Sequence, residues 1–440
     1  MNSKRKKALI KKILCREAAA VGNVTDTIAD LAEPGFQEHR SAGVLASYLA
    51  ERGFKVEFPW SHIPTAFKAS KGKGRPVISV LAEYDALPNC GAEEGQWGHG
   101  CGHNLLGGGA AAAAVAAAGV LQEIKSPGTV VMWGCPAEEI IAGKVYMARD
   151  GAFKGDDAIV GWHPSTENSV STKGGSSLDS LLFEYFGKTA HGAGAHAGRS
   201  ALDGVMLLDV AANYLREHVP ENVRIHMCIL NGGEAPNVVP AYAKVWYYVR
   251  GKDRKQVDEV RQRLIACAKG AAQATGTKMK VKRLTGVYSR LENDVMAAQI
   301  QANFRLFGTP RVTEADKRKV KRLIKKAGFN TGLSKKKNSQ GRGSSDEDSV
   351  SWLAPFGRIN VACVAKGTTG HHRDYSAQVK LPFAHRGMLK AAEIMAGCMV
   401  DLATNRKLLD KARAEFKKRT KKFKYDPLIP KRQKPPTVNP

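Results

Sequence analysis

An α/β fold, with a mostly parallel sheet interrupted by an inserted βαββαβ domain, is what three features of this 440-residue sequence predict. Short unbroken apolar runs such as Val77–Ala82 recur, as in strands buried on both faces. Helical stretches separate these runs at the spacing of a parallel sheet. From about Ser177 the order changes to strand, helix, two strands, helix, strand, which makes a compact antiparallel sheet carrying two helices.

In chain order, apolar periodicity predicts helices over 10–31 and 41–52, the second ended by Gly53. The strand Val77–Ala82 follows, then a loop over 84–103 and an Ala-rich helix over 110–124. A strand over 129–134 stops at Pro136, a helix covers 144–150, and a strand covers 158–161. The inserted unit reads as a strand over 178–188, a helix over 201–218, strands over 223–230 and 238–250, a helix over 256–274 and a strand over 278–284. The α/β pattern then resumes with a helix over 295–307, a strand over 359–365 and a helix over 387–404. The expected units are therefore 1–177 and 291–440, forming one domain, and the insert 178–290.

Composition narrows the class. With 43% hydrophobic and 25% charged residues the chain reads as globular, whereas a formal net charge of +27 is unusual. Much of that charge sits in 317–337, including Lys335-Lys336-Lys337, and in the tail from Arg406. No zinc-finger or RNA-recognition motif accompanies it, so it reads as solvated surface and not as a specific nucleic-acid reader. The eight cysteines, Cys15, Cys90, Cys101, Cys135, Cys228, Cys267, Cys363 and Cys398, lack disulfide-like spacing, which suits a reducing, cytoplasmic setting. The basic N-terminus is followed by Ala8-Leu9-Ile10, cut by Lys11-Lys12 before a signal core develops. No membrane span is expected, the Ala-rich stretch 110–120 being too short.

The chemistry gathers in Cys101-Gly102-His103, Glu138-Glu139 and Trp162-His163-Pro164, with a late His371-His372 pair. Thiolate, imidazole and carboxylate form the mixed donor set of a catalytic divalent metal site, and such a metal lowers the pKa of bound water toward about 7. Cys101, His103, Glu139, His163 and His371 are the candidate ligands, more than one closed structural zinc needs, so two metals suit them better. Adjacent residues after a strand point in different directions, so Glu138 can face the water as general base while Glu139 binds metal. Asp85 is placed to orient an imidazole. All of these follow predicted strands, where open α/β sheets bind ligands.

The ordered motifs Ala82-Glu83-Tyr84-Asp85-Ala86-Leu87-Pro88, Gly98-His99-Gly100-Cys101-Gly102-His103-Asn104, Pro136-Ala137-Glu138-Glu139, Trp162-His163-Pro164, Ala190-His191-Gly192, Pro236-Asn237-Val238 and Gly367-Thr368-Thr369-Gly370-His371 resemble the amidohydrolase branch of the aminoacylase/carboxypeptidase-type dinuclear metallopeptidases. Ser344-Ser345-Asp346, Val350-Ser351-Trp352 and the tail over 425–431 are similar to its p-aminobenzoyl-glutamate hydrolase B-subunit type, and the likeness runs from about Thr27 to the end. The resemblance implies a homodimer that cleaves the C–N bond of a small N-acyl or N-aroyl amino acid or dipeptide, using two divalent ions, Mn or Zn. It makes the insert a lid and dimerisation domain. His191 and Asn237 would stabilise the oxyanion, His191 across the dimer, and Arg250 would hold a substrate carboxylate.

Two departures stand out. Ile140-Ile141 replaces the usual Gly-Gly after the Glu pair, and Ser349 stands where a carboxylate is usual. The isoleucine pair predicts a narrower, apolar, aromatic-accepting site, unless both side chains are core packing. Displacement of an aromatic amine, and a non-catalytic metabolite binder, are the competing readings.

Overall fold

The computed structural model describes residues 2–171, 174–324, 327–334 and 343–436. Lys335-Lys336-Lys337 lies outside the described residues, as do the last four residues of the tail. Among the described residues, eleven strands form two sheets. They are β1 (Lys55–Glu57), β2 (Phe67–Lys73), β3 (Val77–Ala82), β4 (Gly128–Gly134), β5 (Ala158–Ser165), β6 (Ser169–Ser171), β7 (Ser177–Phe186), β8 (Arg224–Asn231), β9 (Tyr242–Gly251), β10 (Lys278–Val287) and β11 (Phe356–Ala362).

The larger sheet has the order β1-β2-β4-β3-β5-β11-β6. Its central strands β4, β3, β5 and β11 run parallel, and β1, β2 and β6 pair antiparallel at the edges. The parallel four are the apolar runs read from sequence. The flanking strands carry polar residues, as in Phe-Lys-Ala-Ser-Lys-Gly-Lys of β2, because an edge strand need not be buried on both faces.

The helix His103–Glu123 begins seven residues earlier than its alanine run suggests. Gly108 and Gly109 look unhelical in isolation, yet a Cβ there would collide with Thr25 Oγ1 and would meet the Trp162 ring at 2.6 Å. Their absence of side chain lets this helix pack against Ser3–Leu31 and the sheet. At 21 residues it is, by length and composition alone, long and apolar enough to cross a membrane, because it extends well beyond the alanine run. It is apolar on every side because it is a core helix, with 89% of its most apolar 18-residue window buried inside the protein.

The inserted unit is a second, fully antiparallel sheet in the order β10-β7-β9-β8, with helices Ala201–Glu217 and Arg254–Thr275 packed on it. Strand β9 starts four residues later than expected, after Pro240, which has no N–H for the ladder. Along β9 burial alternates: Val245, Tyr247 and Val249 face the helices of the insert, and Trp246, Tyr248 and Arg250 take the opposite face. The basic tail is not all loop. Arg406–Thr420 is a helix that buries Leu409 and Ala412, and beyond it Ile429 joins the core cluster to which Tyr146 also belongs.

Candidate active site

The candidate site stands at the carboxyl ends of the central parallel strands. Glu83 and Asp85 follow β3, Glu138 and Glu139 follow β4, and His163 lies within β5. Gly102 (φ 77°) makes the left-handed turn that starts the long helix, and a Cβ there would press on Pro164 and Tyr375 at 3.1 Å. Cys101 and His103 are thereby presented at the N-terminus of the long helix. His371 arrives on the loop after β11; its N–H donates to the Gly100 carbonyl at 2.9 Å.

Two donor groups share one thiol. Cys101, His103 and His163 converge, as do Cys101, Glu139 and His371, with potential ligand atoms within 4.8 Å of one another in each group. Cys101 Sγ lies 3.3 Å from His163 Nε2, and His371 Nε2 is 3.5 Å from a Glu139 oxygen. Asp85 steadies both groups: one oxygen contacts His103 Nδ1 at 2.8 Å, and the other accepts the Glu139 N–H at 2.9 Å. With Nδ1 so engaged, buried His103 Nε2 has no hydrogen-bond partner, nor has Glu139 Oε1. Orphaned buried atoms on convergent donors are what a cation would satisfy, so these residues fit a metal pair.

Electrostatics agree with a site that wants positive charge. Burial, with Glu83 and Glu139 nearby, pushes the Glu138 carboxyl well above its ordinary range. Burial lifts Glu139 to about 8. Burial and Glu139 raise the Cys101 thiol to about 12, and burial lowers His163 to about 3. Five neighbouring carboxylates, from Glu83, Asp85, Glu138, Glu139 and Asp346, leave the cluster short of cations.

Among the described residues, one lysine sits in this cluster, and it was not singled out from sequence. Fully buried Lys144 bridges Glu83 and Asp346, at 2.6 Å to each, and its backbone N–H also donates to Asp346 at 2.8 Å. The other Glu83 oxygen faces His103 Nε2 at 3.3 Å, so Glu83, His103 and Glu138 form a third convergent group. The available signal was Glu83 itself, two residues before Asp85 and on the same side of an extended chain.

Two chambers flank the cluster. A polar one of about 610 Å³ includes Glu138, Cys101, His163, His371 and Arg250. The other, about 320 Å³ and mostly apolar, has Glu139 on its wall with Trp97, Ile140, Trp246 and Tyr248. The isoleucine pair divides its work, and the expectation that both shape one pocket is corrected. Ile140 lines the apolar chamber, whereas Ile141 is 6% exposed, packs in the core and only borders the polar chamber. Ile141 also takes φ 57°, a left-handed conformation strained for a β-branched residue, because the turn 137–141 must fold back to aim Glu138 and Glu139.

Other candidates sit apart. His99 is buried against the Ile28 carbonyl, and His372 caps a short helix by accepting the Asp374 N–H. His191 and Asn237 are exposed on the inserted domain and adjoin each other, Gly192 N–H donating to the Asn237 carbonyl at 2.7 Å. Neither lines the two chambers of its own chain, whereas Arg250 does.

Comparison with known proteins bears on this arrangement. Residues 175–275 match the peptidase dimerisation domain model. The chain is 33% identical to the B-subunit of the p-aminobenzoyl-glutamate hydrolase of Escherichia coli, covering 94% of this chain and 95% of that protein. It is 28% identical to the Xaa-Arg dipeptidase of Mus musculus, over 91% of this chain and 89% of that one. Among solved structures, an aminobenzoyl-glutamate utilization protein from Klebsiella pneumoniae superposes with TM-score 0.63 at 16% identity, covering 90% of this chain and 99% of that one. A dinuclear metal binding peptidase of the M20 family from Bacillus subtilis does so with TM-score 0.57 at 19% identity, covering 87% and 99%. At such identities these two establish the fold alone. The extended match to the Escherichia coli hydrolase goes further, and the chain belongs to the M20 peptidase family as a metal-dependent amidohydrolase.

Proposed function

We propose that this chain hydrolyses the amide bond of a small N-acyl or N-aroyl amino acid or dipeptide, with two divalent ions and Glu138 as general base. The observation that carries the reading is the pair of donor groups sharing Cys101, with Glu138 beside them but in neither group. Cys101, His103 and His163 would hold one ion, and Cys101, Glu139 and His371 the other. Bound there, the ions would polarise the amide carbonyl and acidify water. The thiolate favours zinc, and the carboxylate and imidazoles suit zinc or manganese. Asp85 keeps His103 in the tautomer that leaves Nε2 available, and Glu138 relays the proton from water to the departing nitrogen. Arg250 holds the substrate carboxylate in the polar chamber. The unpaired cysteines suit a reducing compartment such as the cytoplasm.

Purified protein should contain close to two equivalents of Zn or Mn and release free amino acid from an N-acyl or N-aroyl amino acid panel. Metal-free protein that stays so in excess Zn and Mn, or metal-loaded protein inert on the whole panel, would overturn the reading.

We also infer a homodimer in which His191 and Asn237 serve the partner's site. Helix Ala201–Glu217 exposes Met206, Leu207, Val210 and Tyr214, the last 75% exposed, and β8 is an edge strand of the inserted sheet. Such an apolar face beside an open sheet edge suits two-fold pairing. Mixing inactive Glu138→Gln subunits with inactive His191→Ala subunits tests this. Each mixed dimer has one intact site, so up to about a quarter of wild-type activity should return on random pairing. No recovery despite demonstrated subunit exchange would remove His191 from the partner's site.

A further inference from the structure

We infer that Thr285 is a positioning residue for the turn that carries Glu138 and Glu139, and that the C-terminal tail locks it in place through Gln433; this rests on the reading of those two glutamates above. Thr285 belongs to the inserted domain, near the end of β10, yet its hydroxyl donates to the Ile141 carbonyl at 2.7 Å. Both residues are buried. The turn needs outside support, since Ala137 and Ile141 each take φ 57°, a left-handed conformation disfavoured for residues with a Cβ. Such a turn persists only where its surroundings over-determine it. Near its start, the Ala137 N–H donates to Glu38 at 2.7 Å and the Glu139 N–H to Asp85 at 2.9 Å. Thr285 holds its far end, and that hold comes from the other domain.

The tail fixes Thr285 from behind. Strand β10 is an edge strand, and its pairing with β7 slips between Arg283 and Thr285, leaving Leu284 opposite no residue. Consecutive carbonyls of a regular strand point to opposite edges, whereas here the Arg283 and Leu284 carbonyls both lie 3.0 Å from Gln433 Nε2. Gln433 Nε2 also donates to Tyr146 Oη at 2.7 Å, and that hydroxyl donates to the Leu284 carbonyl at 2.9 Å. Tyr146 stands in helix Gly143–Arg149, directly after the turn, so β10 and Gln433 grip that segment beyond Ile141 as well. Arg149 donates to the Gln433 and Pro430 carbonyls and so holds the tail in return. Further back, the Tyr288 hydroxyl donates to the Asp426 carbonyl at 3.0 Å, and Ile429 is buried in the cluster that includes Ile141 and Val287. A chain end stays ordered only where contacts tie it down, and these contacts gather where the inserted domain returns to the larger sheet.

The test reads amide hydrogen exchange across the full chain and zinc transfer from loaded protein to the chelator 4-(2-pyridylazo)resorcinol. The Ile141 and Ala142 N–H groups, bonded to the Glu138 and Ala137 carbonyls, report opening of the turn. Thr285→Val keeps the shape and removes the donor. It should speed exchange over 138–142 by about tenfold or more, because a buried carbonyl loses its partner. Zinc transfer should quicken by about fivefold, since Glu139 rides on the same turn. Thr285→Ser restores the hydroxyl and should stay within about twofold of wild type, a rescue that packing alone does not give. Gln433→Leu should speed exchange over both 283–287 and 138–142 by roughly threefold or more. Added to Thr285→Val, it should change 138–142 by less than about twofold, because both act through one contact. Single variants that leave 138–142 unchanged remove the positioning role, and so does a rise spread evenly over β8, β9 and the helix His103–Glu123. Effects of the two changes that multiply remove the lock by the tail. Should Thr285→Val fail to fold, Gln433→Leu decides by the same pattern, and protein that takes up no zinc is decided by exchange alone. Neither readout needs a substrate. The full pattern in zinc-loaded protein inert on amides keeps the positioning role and sinks the hydrolase reading, whereas hydrolysis without the pattern does the reverse.

Discussion

Glu138→Gln should lower turnover by roughly 10²–10⁴-fold, the contribution of a positioned general base, while metal content stays at the wild-type level. The side chain lies nine-tenths buried, and one of its oxygens is 3.9 Å from His103 Nε2. Gln keeps the shape and removes the basicity, so the substitution isolates proton transfer. Because Glu138 also converges with Glu83 and His103, a ligand role is the concrete competitor. The two roles separate on metal analysis. Loss of activity with metal retained identifies a base, and loss of metal identifies a ligand. Retention of more than about a tenth of the activity removes Glu138 from proton transfer.

How much of this was legible in sequence depends on the range of the interaction. The four parallel strands announced themselves because burial on both faces leaves an unbroken apolar run. Cys101, His103, Glu139, His163 and His371 could be nominated because each donor type is scarce and each follows a strand predicted from sequence, although β5 in fact runs on through His163. Their sharing of Cys101 in two groups, by contrast, is a fact of the fold. Edge strands β1, β2 and β6 stayed hidden, since polar residues on a half-exposed strand look like loop. The start of helix His103–Glu123 was obscured by glycines whose purpose is contact with Thr25 and Trp162, far away in sequence. Ile140 and Ile141 read as a pair, but a turn with φ 57° at Ile141 sends one side chain to a chamber and the other to the core.

The least legible feature, the Lys144 bridge, carries the largest expected effect on stability. Lys144 meets Asp346 across 202 residues, and no local pattern reveals that a lysine after a short turn will be fully buried. Its charge persists because two carboxylates hold it well above its ordinary pKa despite burial. Burial alone would protonate Glu83, but Lys144 and His103 hold its carboxyl down at about 2. Lys144→Met keeps most of the volume and strands Glu83 and Asp346 without a cation. Removing one partner of a buried ion pair costs about 3–5 kcal/mol, because the remaining charge is desolvated and unmatched. At about 2–4 °C per kcal/mol, the melting temperature should fall on the order of 10 °C. The same change frees the Glu83 carboxylate that faces His103 Nε2, so metal retention on dialysis should weaken as well. Neutralising the stranded acids, as Lys144→Met with Glu83→Gln and Asp346→Asn, should restore a large part of the melting temperature, since the penalty comes from unmatched charge and not from lost packing. A single variant that melts within about 2 °C of wild type would show that water or a rearranged neighbour satisfies both acids. A triple variant no better than the single one would instead make the ammonium's hydrogen bonds, and not its charge, the stabilising contribution.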